Sequence, residues 1–277
     1  MDDNGKSAHI IRELEDKHLQ SVVSLTAWWK ESREEGRELS VATGSIIHSS
    51  KIMLVLGCAH IFQSFITCYG PGFDTALILN GNITIRLNFF DGHSAEGRVY
   101  CIDWWKDLCL VLVPVPNKLY ESVKFIEDEN MMGQSVYTRG ERVFSIFCLP
   151  THEKDGKLLF GTIAEGEISG LPITANDFTW RYHSDLEFFE FAMSAEGGAS
   201  GGPIFTKKML VMGILLGGYD GMKFAVRIDQ IRRWILDCFN IKGTKNMNET
   251  VAKLSADLSA RWTKKAESKV SSRRGLA

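Results

Sequence analysis

The chain has 277 residues, with 32 Lys or Arg against 34 Asp or Glu and a formal net charge of −2, which excludes a polybasic nucleic-acid binder by bulk charge. With 44% hydrophobic, 24% charged and 10% aromatic residues, it also excludes a largely disordered or collagen-like chain. The length suits one or two domains, and two small β-barrels sharing one site fit it as a single unit.

Residues 1–12 carry Asp2 and Asp3 and no continuous apolar stretch of the signal-peptide kind, so the expectation is an unsecreted chain of the cytoplasm, the nucleus or both. The longest apolar runs, Leu108 to Val115 and Met209 to Leu216, fall short of the roughly 18–20 residues a bilayer-spanning helix needs, so no membrane partner is expected. Cys58, Cys68, Cys101, Cys109, Cys148 and Cys238 are scattered without C-x-x-C pairs, which argues against a metal knuckle. They read as mostly buried, reduced thiols, although their even number leaves disulfides open. Asn82-Ile83-Thr84 and Asn248-Glu249-Thr250 have the form of glycosylation sequons and, without secretion, read as chance matches.

In chain order, Ile10, Ile11, Leu14 and His18 or Leu19 recur at helical spacing, so residues 1–20 form a helical extension. From Ser21 the pattern changes to short apolar runs punctuated by Gly, Ser and Asn: Ser21 to Leu25, Gly44 to Ile47 and Ile52 to Leu56. Further strands are predicted at Ile83 to Phe89, Glu96 to Ile102, Leu108 to Val113, Arg142 to Cys148, Leu158 to Ile168, Leu186 to Ala192, Ile204 to Phe205, Leu210 to Leu216 and Lys223 to Val226. Turn signals such as Asn80-Gly81, Asp91-Gly92 and Asp155-Gly156 separate them. Many short strands without alternating helices predict an all-β architecture of antiparallel barrels.

Ile228, Ile231, Ile235 and Phe239 then return to helical spacing and predict a helix over 228–239 that closes the domain. The domain therefore runs over 21–240, with barrels at about 21–120 and 130–226. Residues 241–277 read as a basic, flexible tail: from Lys242 on, nine Lys or Arg stand against three acids. Val251, Leu254, Leu258 and Trp262 sketch one apolar helix face within it, and the Ser/Arg-rich end reads as disordered. A solvated tail is favoured over a nuclear-import or nucleic-acid tether.

The segment most specific for chemistry is Glu196-Gly197-Gly198-Ala199-Ser200-Gly201-Gly202-Pro203. A serine that attacks an acyl carbon must stand clear of a tight turn while backbone N–H groups converge on the developing oxyanion. Glycines permit such a turn, although a Gly-rich hairpin has the same composition. Serine also needs an imidazole to accept its proton and a carboxylate to orient that imidazole. His60 follows an apolar strand in Leu56-Gly57-Cys58-Ala59-His60, and Asp107 precedes one in Lys106-Asp107-Leu108-Cys109-Leu110. The order is His, Asp, Ser. Asp103 rivals Asp107, and His48 and His93 rival His60, but both favoured residues sit better against their strands.

These motifs resemble a chymotrypsin-fold, trypsin-like serine peptidase, more similar to the Do-like (Deg) proteases than to secreted trypsins. Gly44-Ser45-Ile46-Ile47, Ala59-His60, Asp107-Leu108-Cys109-Leu110 and Ser200-Gly201-Gly202-Pro203-Ile204-Phe205 carry the likeness, which covers about residues 20–240 and is only an outline between Asp107 and Gly197. The resemblance implies two perpendicular six-stranded antiparallel barrels with the site in the cleft between them. It implies His60 as general base, Asp107 as orienting acid, Ser200 as nucleophile, and the N–H groups of Gly198 and Ser200 as oxyanion hole. It further implies an S1 pocket walled by Ser194 to Gly197, Glu196 included, and by Leu216-Gly217-Gly218, with protein or peptide substrates and no metal or organic cofactor. Ser194 in place of a pocket-floor carboxylate points to a small or medium apolar P1 residue.

Two departures matter. Ala199 stands where secreted relatives carry Asp and Deg-like ones Asn, so other contacts must hold the oxyanion turn. The roughly 37 residues after Asn240 are too few for the PDZ domain that Deg-like enzymes often carry, so any homo-oligomer would use other surfaces. The alternative to an active enzyme is a peptidase-fold binding or scaffold module, which Ala199 favours and the intact His60, Asp107 and Ser200 set opposes. A virus-derived processing peptidase of the same fold is a third possibility.

Overall fold

The computed structural model describes residues 3–29, 41–63, 75–80, 83–114, 118–127, 137–150, 158–170, 173–174, 187–219 and 221–274. After helix α1 (Asp3–His18), strands β1 (Val22–Trp29), β2 (Val41–Ser49), β3 (Ile52–Gly57), β4 (Ile83–Phe89), β5 (Ser94–Asp103) and β6 (Leu108–Pro114) form a closed antiparallel barrel in the order β1-β2-β3-β6-β5-β4. A 3-10 turn at Ala59–Phe62 and a short helix α2 (Thr75–Leu79) lie between β3 and β4. The second barrel uses β7 (Arg142–Pro150), β8 (Leu158–Ile168), β10 (Glu187–Met193), β11 (Pro203–Phe205), β12 (Val211–Tyr219) and β13 (Met222–Arg227). Pairing of β10 with β13 closes its six strands, and the two-residue β9 (Ile173–Thr174) adds to β10. The expected pair of six-stranded antiparallel barrels is present. The junction between the two predicted barrels, 120–130, is described only to Glu127, and Phe125 within it bridges Val211 of β12.

β3 and β6 are uninterrupted apolar runs because both of their faces are buried. Met53, Val55, Cys109, Val111 and Val113 fill the first barrel. Ile52, Leu54, Leu56, Leu108, Leu110 and Leu112, on the opposite faces, join the core that contains the second barrel and the C-terminal helices. By contrast β4, whose outer face is not covered by the second core, alternates buried residues with half-buried or exposed ones.

Three helices lie against this body. α1 buries Leu14 and anchors Ser7 Oγ on Glu165 at 2.9 Å, beside the Arg142–Glu165 ion pair of β7 and β8. α3 (Ile228–Phe239) buries Ile228, Ile231, Trp234 and Ile235, as its spacing predicted, and ends where Asn240 takes a left-handed conformation at φ 50°.

The tail read as flexible is instead largely helix α4 (Met247–Arg274), and the Ser/Arg-rich residues up to Arg274 fall within its bounds. Its start is capped, with Asn246 Oδ1 accepting the Glu249 N–H at 2.9 Å. Met247, Val251, Leu254 and Leu258 then enter the core, with Trp262 packed at its margin. Asn248 of the second sequon is also structurally engaged, donating to the Phe125 carbonyl and accepting its N–H, both at 3.2 Å. Asn82 of the first lies outside the described residues. Among the described residues no helix is long and apolar enough to cross a membrane.

Candidate active site

The register of the first barrel brings two of the motifs together. Gly57 at the end of β3 pairs with Cys109 near the start of β6, so the chain leaving β3 runs beside the turn that enters β6. That turn, 104–107, is built on Asp103, whose Oδ1 accepts the N–H groups of Trp105 at 2.9 Å and Lys106 at 3.0 Å while Oδ2 meets Lys106 Nζ at 3.1 Å. It ends on Asp107 at φ 53°, a left-handed position that Asp tolerates better than most residues.

Asp107 is buried and holds the neighbouring segment at three points. Its Oδ1 accepts the His60 backbone N–H at 2.7 Å, its Oδ2 meets His60 Nδ1 at 2.7 Å, and its carbonyl accepts the Ala59 N–H at 3.2 Å. A carboxylate on Nδ1 selects the tautomer that carries its proton there and leaves the Nε2 lone pair free to accept one. The rivals are engaged elsewhere: Asp103 braces the turn, His48 Nε2 bonds Ser50 Oγ at 2.8 Å, and His93 pairs with Asp91 at 3.2 Å.

Ser200 comes to the same crevice from the second barrel. Gly201, at φ 91°, lies so close to the first barrel that a Cβ there would stand 1.9 Å from the Thr43 carbonyl oxygen and 3.4 Å from Gly57 Cα. Leu215 of β12 ties the two segments together, its carbonyl accepting both the Gly201 N–H at 2.7 Å and the Cys58 thiol at 3.3 Å. Gly201, next to Ser200, is thus packed against the strand end three residues before His60. Among the described residues Ser200 Oγ makes no hydrogen bond to His60 Nε2.

Ala199 is buried, and its side chain offers the turn no polar contact. The bonds it lacks come from β2 of the other barrel, a role for Thr43 and Ser45 that sequence reasoning missed. Thr43 donates its N–H to the Ser200 carbonyl at 2.8 Å and its Oγ1 to the Gly198 carbonyl at 2.7 Å. Ser45, on the same face of the strand, donates its Oγ to the Gly201 carbonyl at 3.0 Å. The Thr-Gly-Ser alternation in β2 is the available sequence signal, but its meaning depends on what the opposite barrel presents. Gly198 takes φ 97°, with Pro150 and the Cys148 carbonyl filling the space of a side chain. Among the described residues neither the Gly198 nor the Ser200 N–H donates to a protein acceptor.

The supposed pocket walls differ in character. Ser194, Glu196 and Gly218 are exposed and Gly217 is half-buried, but the Leu216 side chain lies in the core, so Leu216 offers a ligand its backbone. β11 and the Ser200 turn cover one edge of β12 as far as Leu215. Beyond it, among the described residues, Leu216 to Gly218 have no partner strand on that edge.

Cys58, His60 and Asp107 each bring a donor atom within 4.8 Å of the others, a spacing that suits a metal. Their chemistry fits one poorly, because both Asp107 oxygens are committed to His60 and the Cys58 thiol donates to Leu215. Burial, reinforced by the charge of Asp107, pushes that thiol well above its ordinary range. Cys58 therefore stays protonated and is not a rival nucleophile.

A family model described as the trypsin-like peptidase domain matches residues 42–214, more than half of the chain. Among solved structures, the crystal structure of Deg5 superposes with a TM-score of 0.59 at 17% sequence identity, covering 84% of this chain and 94% of that one. No curated protein matches the sequence.

Proposed function

Since the chain belongs to the trypsin-like peptidase family, we propose that it is a serine endopeptidase working through an acyl-enzyme on His60, Asp107 and Ser200. In this reading His60 Nε2 takes the Ser200 hydroxyl proton as Oγ attacks the scissile carbonyl. The oxyanion is received by the N–H groups of Gly198 and Ser200. Collapse of the intermediate breaks the C–N bond, and His60 returns the proton to the departing amine. Water, activated by the same imidazole, then hydrolyses the ester and restores Ser200.

The observation that carries the reading is the two-point grip of Asp107 on His60, both bonds 2.7 Å, beside a Ser200 turn whose two candidate oxyanion donors are unspent. The open edge of Leu216 to Gly218 supports a substrate bound as an added strand, its main chain read by backbone groups. The lack of an acid at the Ser194 position favours small or medium apolar P1 residues even with Glu196 nearby, which a peptide library would test. Cleavage after Arg or Lys in preference to Val, Ala or Leu would contradict that preference.

The missing Ser200–His60 hydrogen bond favours a second reading, a peptidase-fold binding module. Such bonds are often long in unliganded enzymes and tighten with substrate, so the first reading stands ahead. A fluorophosphonate probe decides between them. The enzyme labels at Ser200 and loses labelling in Ser200→Ala and His60→Ala, whereas equal labelling of all three, or none of the wild type, supports the binding module.

A further inference from the structure

We propose that Thr43 is the positioning residue of the oxyanion turn, a role that deepens the serine-peptidase reading and rests on it. The turn consists of four successive peptide planes, and only two of them carry the candidate oxyanion donors. The plane between Gly197 and Gly198 carries the Gly198 N–H, and the plane between Ala199 and Ser200 carries the Ser200 N–H.

The other two planes flank Ala199 and Ser200 and are each pinned at both ends. In the Gly198–Ala199 plane the carbonyl is held by Thr43 Oγ1 at 2.7 Å and the N–H by the Glu196 carbonyl at 3.2 Å. In the Ser200–Gly201 plane the carbonyl is held by the Thr43 N–H at 2.8 Å and the N–H by the Leu215 carbonyl at 2.7 Å. One residue of the first barrel therefore grips both fixed planes, through its hydroxyl and its backbone. The Ala199–Ser200 plane lies between these two and is also held by the Gly202 N–H on the Ala199 carbonyl at 3.0 Å, while the Gly197–Gly198 plane adjoins the first of them, so both donor planes take their direction from planes that Thr43 fixes.

The hydroxyl is itself oriented. Thr43 Oγ1 accepts the Cys148 N–H of β7 at 3.0 Å, which directs its own proton to Gly198. Thr43 is fully buried, so water does not compete for these bonds. Ala199 cannot supply a substitute.

Thr43→Val keeps the shape and removes the hydroxyl, and Thr43→Ser keeps the hydroxyl. With a peptide ester substrate, kcat of Thr43→Val should fall about 10- to 100-fold, less than the about 10²–10³ that outright loss of an oxyanion donor costs, while KM stays within about twofold. Affinity for a peptide boronate, which mimics the tetrahedral state, should fall in step with kcat, and Thr43→Ser should recover most of both. A merely structural Thr43 would lower the unfolding midpoint and the active fraction without this parallel. Unchanged kcat in Thr43→Val, or a loss confined to KM, overturns the inference while leaving the peptidase reading intact. A wild type inert to fluorophosphonate refutes that reading, and this inference falls with it.

A separate observation carries a second inference: Cys101 and Cys238 are a disulfide-forming pair that links the first barrel to helix α3. Their sulfurs lie 3.2 Å apart, across 137 residues of chain. Tyr100 and Phe239, each adjacent in sequence, stack with centroids 5.6 Å apart and planes 18° apart, holding the two elements in place. Cys238 is exposed and Cys101 partly so, whereas Cys58, Cys109 and Cys148 are buried. The hydrogen bond from Cys101 lowers the Cys238 thiol toward ionisation, and Lys106 helps while burial, Asp103 and Asp237 oppose it. Cys238 is accordingly the attacking sulfur.

With glutathione disulfide as oxidant, the Cys238 thiolate attacks one sulfur and releases one glutathione thiolate. Cys101, giving its proton to solvent, then attacks Cys238 Sγ and releases the second glutathione. Two cysteines are oxidised as one glutathione disulfide is reduced. Peptide mapping of the full chain treated with glutathione disulfide should yield a linked peptide joining Cys101 to Cys238, with an intact mass lower by two hydrogens. Cys101→Ser should stop at a stable glutathione adduct on Cys238. An unmodified wild type, a persistent wild-type adduct, or a link from either cysteine to a different one overturns the assignment.

Discussion

Gly201→Ala tests the docking of the Ser200 turn on the first barrel. The added Cβ would sit 1.9 Å from the Thr43 carbonyl oxygen, where real Cβ contacts are essentially never under 3.0 Å, so the turn must withdraw by about 1 Å or more. Withdrawal breaks or stretches three bonds: Thr43 N–H to Ser200, Ser45 Oγ to Gly201, and Gly201 N–H to Leu215. At about 1 kcal/mol net for each bond, with about 1–2 kcal/mol for holding Ala in a left-handed conformation, the cost is about 4–5 kcal/mol. That is a large part of an ordinary domain's stability of about 5–15 kcal/mol. Gly197→Ala is the internal control, because among the described residues no atom lies within 4 Å of its built Cβ and its φ is not in the left-handed range. Its expected change is within about 0.5 kcal/mol. Urea unfolding followed by tryptophan fluorescence gives both numbers, and fluorophosphonate labelling reports whether the nucleophile survives. A Gly201→Ala protein within about 1 kcal/mol of wild type, or a Gly197→Ala protein equally damaged, refutes the reasoning.

Asp107→Asn removes the charge that fixes the His60 tautomer while keeping the side chain's shape, and kcat should drop by about 10⁴ with the circular-dichroism spectrum unchanged. A drop smaller than tenfold would remove Asp107 from the proposed mechanism. Burial depresses both His18, whose ring lies tilted against Phe205 with centroids 4.8 Å apart, and His48 below the ordinary 6.5. The unfolded chain then binds more protons as pH falls below about 6.5, so stability is fully present above that pH and is lost on acidification toward the depressed folded values. The urea midpoint should fall between pH 7.5 and 5.5, less steeply in His18→Phe, and a rise would reverse the assignment. Asn248→Ala leaves the backbone N–H and carbonyl of buried Phe125 without their partner and should cost about 1–3 kcal/mol, read from the same unfolding curves. An unchanged midpoint would show that solvent replaces the amide.

Much of the scaffold was legible because its strands announce themselves. β3 and β6 are apolar on both faces, and Ile228, Ile231 and Ile235 recur at a helical period. The 3-10 turn that carries His60 was not, since four residues are too few to show a period. Two-residue β9 escaped for the same reason. The tail misled because its charge dominates its composition, while the four side chains that enter the core are spread along α4 and its Asn246 cap lies in a polar run. At the site, the residue types and their order were readable. The choice of Asp107 over Asp103 became firm only when the β5–β6 turn put one on His60 and the other under the turn. The sequence also signalled, through Ala199, that a support was missing. It could not name Thr43 and Ser45, because hydrogen bonds between barrels have no local period.

His60 and Asp107 belong to one barrel and Ser200 to the other, and the Ser200 turn is fastened on one side to β2 and on the other to Leu215. A ribosome releases these parts in a fixed order. His60 and Asp107 emerge early, Ser200 follows, and Leu215, the last fastening, emerges after both, with the closing strand and helices behind it. On the proposed peptidase reading, a chain made only as far as Ser200 would hold the reacting groups without their fastening, and cutting power would wait until Leu215 had emerged and docked.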